Sequence, residues 1–139
     1  MQHKGTVTLN TKRLVLRKFR ANDAEAMFHN WASDLEVTRY LTWPAHTSIE
    51  DTNMILKLWI DNDSDQQYMW AIALKESDEV IGNISVVKLD EATRCVDIGY
   101  CISRKWWHQG ITTEAFMAVI DFLFNEVKVN RIEAYHDVL

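Results

Sequence analysis

Little in this chain permits sharp backbone turns or covalent staples. Its 139 residues hold four glycines, one proline (Pro44) and two cysteines, Cys95 and Cys101. The chain shows no internal repeat and no low-complexity linker. If both cysteines lie on one strand, six residues separate them, about 20 Å at roughly 3.3 Å per residue. A disulfide does not span that distance, so two reduced thiols and a cytoplasmic location are expected. Basic charge is also short, with 15 Lys and Arg against 20 Asp and Glu and a net charge of -5. That balance disfavours nucleic-acid backbones as partners. No run approaches the roughly 20 apolar residues of a membrane span, and the start, MQHKGTVTLN, lacks the apolar core of a signal peptide. Neither nucleic acid nor membrane is expected as a partner.

What is present is core-forming material. Hydrophobic residues make up 47% of the chain, enough to fill the interior of one domain, taken as 1–139. RLVLRKF (13–19) alternates as a strand does, with Leu14 and Leu16 on one face. In the next segment Asn22 or Asp23 is the expected N-cap of a helix carrying Ala24, Met27, Phe28 and Trp31 at helical spacing. A loop with a short helical piece runs up to and past Pro44. A second helix starts at Ser48, with Asp51 close to a capping box and apolar positions at Ile49, Ile55, Leu56, Trp59 and Ile60. Three strands follow, 67–74, 80–89 and 94–102, joined by short polar turns that favour antiparallel pairing. A helix is predicted from about 110 to 125, burying Ala115, Phe116, Val119, Ile120, Leu123 and Phe124. The final strand is RIEAYHDVL. A strand–helix–strand link places its two strands parallel. The fold class is therefore α/β, with a mixed, mostly antiparallel sheet flanked by helices. Met27, Met54, Met69 and Met117 occupy apolar positions and read as core.

The chemistry concentrates in DIGYCISRKWWHQGITTEAF. A helix start leaves backbone N–H groups unsatisfied, and the peptide dipoles add partial positive charge. Gly110 there lets an anion approach the backbone. Arg104, Lys105 and His108 stand just upstream. Two readings stay open: a diphosphate cradle, or an ordinary helix capped by Thr112 or Thr113. A nucleotide-phosphate loop is disfavoured, because no Lys-Ser/Thr follows the glycine. His29, His46, His108 and His136 show no metal-ligand spacing, and no metal is expected.

IGYCISRKWWHQGITTEAF resembles the acetyl-CoA motif of the GNAT (GCN5-related) N-acetyltransferases. LNTKRLVLRKFRANDAEAMFHNW is similar to the N-terminal signature of the ribosomal-protein N-terminal-amine acetyltransferase branch. VTRYLTW, DEVIGNISV and NRIEAYHDVL extend the resemblance over nearly the whole chain. It implies acetyl transfer from acetyl-CoA to an amine: a protein N-terminus, a peptide or a small molecule. The alternative is a non-catalytic acyl-CoA-binding or oligomerising fragment.

The family pattern Q/R-x-x-G-x-G/A falls on Trp107, His108, Gln109, Gly110, Ile111 and Thr112. Trp107 replaces Gln or Arg, and Thr112 adds bulk where Gly or Ala is usual. The amides of Gln109 to Thr113 are the implied diphosphate ligands, with His108 beside them. The strand Ile98, Gly99, Tyr100, Cys101 and Ile102 is the implied track for the pantetheine arm, which in the family enters where this strand splays from the next. Gly99 is where a bulge would be tolerated. Asp97 is the implied general base, acting through water, or else a solvated strand carboxylate. Tyr135 is an implied donor near the sulfur, or packing. Trp31, Tyr40 and Trp43 would wall the acceptor, or belong to the core. An α-amine, with a pKa near 8, needs only about one unit of help at pH 7. By the same resemblance, the usual C-terminal helix and strand hairpin are absent here. The expected consequences are an unpaired sheet edge and an uncovered apolar sheet face, in a chain that is either truncated or incompletely represented, or completed by a homodimer partner.

Overall fold

The computed structural model describes residues 1–39 and 44–135. A six-stranded sheet keeps the order of the chain: β1 (Leu9–Asn10), β2 (Leu14–Arg17), β3 (Met69–Leu74), β4 (Val80–Asp90), β5 (Cys95–Ile102) and β6 (Arg131–Tyr135). Neighbours pair antiparallel from β1 to β5, and β6 runs parallel to β5. The predicted mixed, mostly antiparallel sheet is therefore found. Only the two-residue β1 has no counterpart in the sequence reading, because two residues are too few to show an alternation.

Alternation along the strands sorts side chains into two cores. Leu14, Leu16, Trp70, Ile72, Ile84, Val96, Ile98 and Ile102 point to one face. There they meet α4 (Ile111–Phe122) through Ile111, Ala115, Val119 and Phe122. Ala71, Ala73, Val80 and Cys101 point to the other face. That face is covered by α1 (Ala24–Met27), the π turn Phe28–Ala32, α2 (Leu35–Thr38) and α3 (Ile49–Asp61). Each large apolar side chain fully removed from water contributes about 1.5–3 kcal/mol. Trp31, Trp70, Leu14, Leu16, Met27 and Leu56 are among those with at most 1% exposure.

Several helix expectations shift. The first helix opens on a 3-10 turn, Ala21–Asp23, with Arg20 at the N-cap position. Asp23 lies inside that turn, where its carboxylate accepts the Arg20 amide at 2.7 Å and the Arg17 guanidinium. Ser48 does hold the N-cap position of α3, but its hydroxyl makes no cap bond. Asp51 instead accepts from the amide and the hydroxyl of Thr47. After α4 the chain passes into a π turn, Leu123–Val127. The wider turn rotates the apolar stripe, so Phe122, Leu123 and Val127 are buried while Phe124 is 41% exposed. Met54 and Met117 are exposed at 70% and 65%, not core as their apolar chemistry suggested. Each sits on the outer side of its helix, beyond reach of the sheet.

Candidate active site

The site is built where β5 ends and α4 begins. Ser103 donates its amide to the Ile81 carbonyl at 2.7 Å, which holds the exit of β5 against β4. A short 3-10 turn, Arg104–Trp106, reverses the chain. Trp107 then folds back, its indole Nε1 donating to the Ile102 carbonyl at 3.0 Å, and packs against both cores. In this chain the residue at the first position of the family pattern thus caps the end of β5 through its side chain.

The turn after Trp107 is unusual in its backbone. His108 has φ 63° and Gly110 has φ 76°. Left-handed conformation is costly for His108 and nearly free for Gly110. Gly110 occupies the N-cap position of α4, and no side chain caps that end. The Gly110 carbonyl accepts the Glu114 amide at 3.0 Å, the first bond of the helix. Among the described residues, the amides of Gln109 to Thr113 meet no acceptor. The ordinary capped helix, one of the two readings of this segment, is not what forms: neither Thr112 nor Thr113 caps it. His108, Gln109, Gly110 and Thr113 are exposed, Thr112 is half-buried, and Ile111 is buried beneath them. The helix start therefore presents a row of donors and the positive end of a dipole to solvent.

Thr11 and Arg13, just before β2, brace this turn through Glu114 of α4. Glu114 Oε2 accepts from Thr11 Oγ1 at 2.5 Å and from the Arg13 amide at 2.9 Å. Its Oε1 accepts from Arg13 Nε at 2.7 Å. Burial pushes the Glu114 carboxyl up, but these three bonds and the Arg13 charge outweigh it and hold the group below the usual glutamate range. Arg13 Nη1 also donates to the Gln109 carbonyl at 3.1 Å. Sequence reading passed over this brace, since Arg13 and Glu114 lie 101 positions apart.

On β5, Ile98, Tyr100 and Ile102 face α4, and Tyr100 meets Phe116 edge to face at 5.1 Å. Burial pushes the Tyr100 phenol up. Cys101 lies on the opposite face in the second core, and burial pushes its thiol far up, away from nucleophile chemistry. Cys95 is a free thiol as well. Gly99 sits in unbroken register between Ser85 and Tyr135. The bulge is on β4, where Val87 is the extra residue opposite the Asp97–Ile98 step. Gly99 is thus not at a bulge.

Asp97 is half-buried on the face away from α4, with Lys88 of β4 and Glu133 of β6 in register on either side. Its carboxylate joins no ion pair among the described residues. Glu133 instead pairs with Arg131 at 2.8 Å. Asp97 is five residues before Ile102, about 17 Å along the strand. Tyr135 pairs with Gly99 through its backbone. Trp31 is fully buried with Phe19 at a ring distance of 6.5 Å, so it offers no wall to an acceptor. Tyr40 and Trp43 lie outside the described residues. Among the described residues, no cluster of His, Cys, Asp or Glu could hold a metal ion, and no helix is long and apolar enough to cross a membrane.

Comparison with known proteins bears on this arrangement. Residues 13–138 match the family model for the acetyltransferase (GNAT) domain. The N-acetyltransferase p20 of Bacillus licheniformis is 35% identical over 128 residues, covering 91% of this chain and 71% of p20. YoaA of Bacillus subtilis, another N-acetyltransferase, is 32% identical over the same shares of each chain. The crystal structure of a GNAT-family acetyltransferase from Bacillus anthracis superposes with a TM-score of 0.78 at 26% identity, over 92% of this chain and 72% of that one. Two remoter structures share the fold. One is the ribosomal alpha-N-protein acetyltransferase RimL, with TM-score 0.75 and 20% identity over 91% of this chain and 69% of RimL. The other is the microcin self-immunity acetyltransferase MccE in complex with acetyl-CoA and AMP, with TM-score 0.72 and 21% identity over 86% and 66%. With its matched domain, its close relatives and its six-stranded sheet, the chain belongs to the GNAT acetyltransferase family.

Proposed function

We propose that this chain transfers an acetyl group from acetyl-CoA to an α-amine, such as a protein or peptide N-terminus. The observation that carries the reading is the uncapped start of α4, where the amides of Gln109 to Thr113 meet no acceptor among the described residues. A diphosphate is the ligand such a donor row suits, and a thioester supplies the activated acyl group. The arm would run beside the Ile98–Ile102 stretch of β5, between the diphosphate and Asp97. Residence of MccE with acetyl-CoA on the same fold supports this direction.

In the reaction the amine nitrogen attacks the thioester carbonyl carbon, the C–N bond forms, and the C–S bond breaks. The amine loses a proton and the leaving thiolate gains one. Asp97 is the candidate base, relaying the amine proton through water. Tyr135 is the candidate donor to the departing sulfur. An α-amine is chosen over a lysine side chain because its neutral form costs only about one pH unit at pH 7, against about three. The amino-terminal signature shared with ribosomal-protein acetyltransferases, and the RimL fold match, favour a protein N-terminus.

Titration calorimetry with CoA and acetyl-CoA, followed by thiol release with matched peptides, tests this. A peptide with a free α-amine should drive release, and the same peptide N-acetylated should not. Failure of CoA to bind, or release indifferent to the acceptor, would reject the proposal.

A further inference from the structure

Arg13 is exposed and stands just before β2, and its guanidinium reaches across to Glu114 of α4 and to the turn that precedes that helix. Nε holds Glu114 at 2.7 Å, and Nη1 holds the Gln109 carbonyl at 3.1 Å. Nη2 lies toward Gly110, 3.5 Å from the point where a Cβ would stand. A guanidinium is a rigid planar fork, so these directions are fixed together. The Gln109 carbonyl and the Gly110 N–H belong to one planar trans peptide, in which they point opposite ways. A carbonyl pinned inward by Arg13 therefore turns the Gly110 amide outward. The same cation offsets the Glu114 carboxylate, which would otherwise place negative charge beside an incoming anion.

We propose that Arg13 is a positioning residue for the coenzyme: it locks the Gln109–Gly110 peptide so that its N–H faces the diphosphate, and masks the charge of Glu114. This inference rests on the acetyl-CoA reading above. Nothing in the reaction need touch Arg13 itself. Its effect should appear in coenzyme affinity and in the order of the first turn of α4.

The test uses the full chain with Arg13→Gln and Arg13→Lys, and three measurements: CoA binding by calorimetry, steady-state KM and kcat, and amide hydrogen exchange without ligand. Loss of two charge-assisted bonds should weaken CoA binding about tenfold in Arg13→Gln. KM for acetyl-CoA should rise alike, with kcat and the acceptor KM nearly unchanged. Arg13→Lys should recover only part, since an ammonium lacks the fork. Exchange should quicken at the amides of Glu114 to Met117 and stay constant in β3 and β4. CoA affinity within twofold of the parent protein would overturn the inference, as would faster exchange spread evenly over the sheet, the mark of a merely structural arginine. If the parent protein binds no CoA, the coenzyme role falls together with the acetyl-CoA reading. The exchange measurement then decides the lock alone, and unchanged exchange at Glu114 to Met117 would reject that too.

Discussion

Arg17 and Asp23 meet in a two-pronged ion pair, with Nη1 and Nη2 donating to the two carboxylate oxygens at 2.9 and 3.0 Å. Both side chains are nearly sealed from water, at 6% and 7% exposure. The hydrogen bond and charge of Asp23 hold the Arg17 pKa above its ordinary value despite burial. Arg17 Nε also reaches Asp78 at 3.3 Å, in the turn between β3 and β4. One arginine thus joins β2, the first helical turn and a hairpin. Asp23→Ala would leave a buried cation with a weaker, half-exposed partner. Removing one member of such a pair costs about 3–5 kcal/mol. Denaturant unfolding should show that loss in Asp23→Ala.

Gly82 has no room for a side chain. A Cβ there would collide with the Cys101 carbonyl and lie 2.9 Å from Cα of Ile102. The obstacle is backbone, which cannot swing aside as a side chain would. Gly82→Ala should separate β4 from the end of β5, with a loss of at least about 1–3 kcal/mol. Thermal unfolding reads the stability. Coenzyme binding should fall as well, because β5 delivers the chain to the candidate cradle.

At Gly110 the constraint is conformational rather than spatial. Its φ of 76° lies in the left-handed region, and the nearest atom to a Cβ would be Arg13 Nη2 at an ordinary 3.5 Å. Gly110→Ala should therefore cost only about 1–2 kcal/mol of stability. Its effect on CoA affinity should be larger than that, since the turn relaxes away from the required amide directions. Unfolding and calorimetry on the same variant separate the two effects.

Glu114 gives a pH signature. Its carboxyl titrates lower in the folded chain than in the unfolded one, because Thr11 and Arg13 favour the charged form over the effect of burial. Its contribution to stability is therefore complete above the unfolded glutamate value. It fades as pH falls through the lowered folded value. Glu114→Gln should flatten the acid limb of a stability–pH curve and leave its shape near neutrality alone.

Asp97 and Glu133 lie in register on neighbouring strands, so comparing them tests the base. Asp97→Asn should lower kcat about 100-fold or more with little change in KM for acetyl-CoA. Glu133→Gln should change kcat far less, since Arg131 already occupies that carboxylate. Equal losses in the two variants would deny Asp97 the role.

Sheet and helix order were readable because the alternation of Leu14, Leu16 and Ile98, Tyr100, Ile102 is a local property. The parallel β5–β6 pair followed from a single helical link. Gly110 marked the start of α4, but a glycine ahead of an apolar helix fits an ordinary helix start as well as an anion cradle. Other features left no local trace. The bulge at Val87 depends on how β4 and β5 share register, which no single strand carries. The burial of Phe122 in place of Phe124 follows from a π turn that shifts the stripe. Trp31 looked the same as core or as acceptor wall until its surroundings were known. The brace from Arg13 to Glu114 joins residues 101 positions apart, and only the closed fold brings them together.

That brace also sets an order of events during synthesis. The sheet from β1 to β5 runs in chain order, so β1 with β2, and β3 with β4 and β5, can pair soon after they emerge, and such short-range contacts form quickly; β2 must wait for β3, whose Leu74 pairs with Leu14. The turn at Gly110 waits longer still, because the arginine that bonds to it was made about a hundred residues earlier. Until α4 has docked back against the start of β2, a nascent chain has no braced turn to offer. A ligand held there would therefore reward only molecules in which Thr11 and Arg13 have already met Glu114.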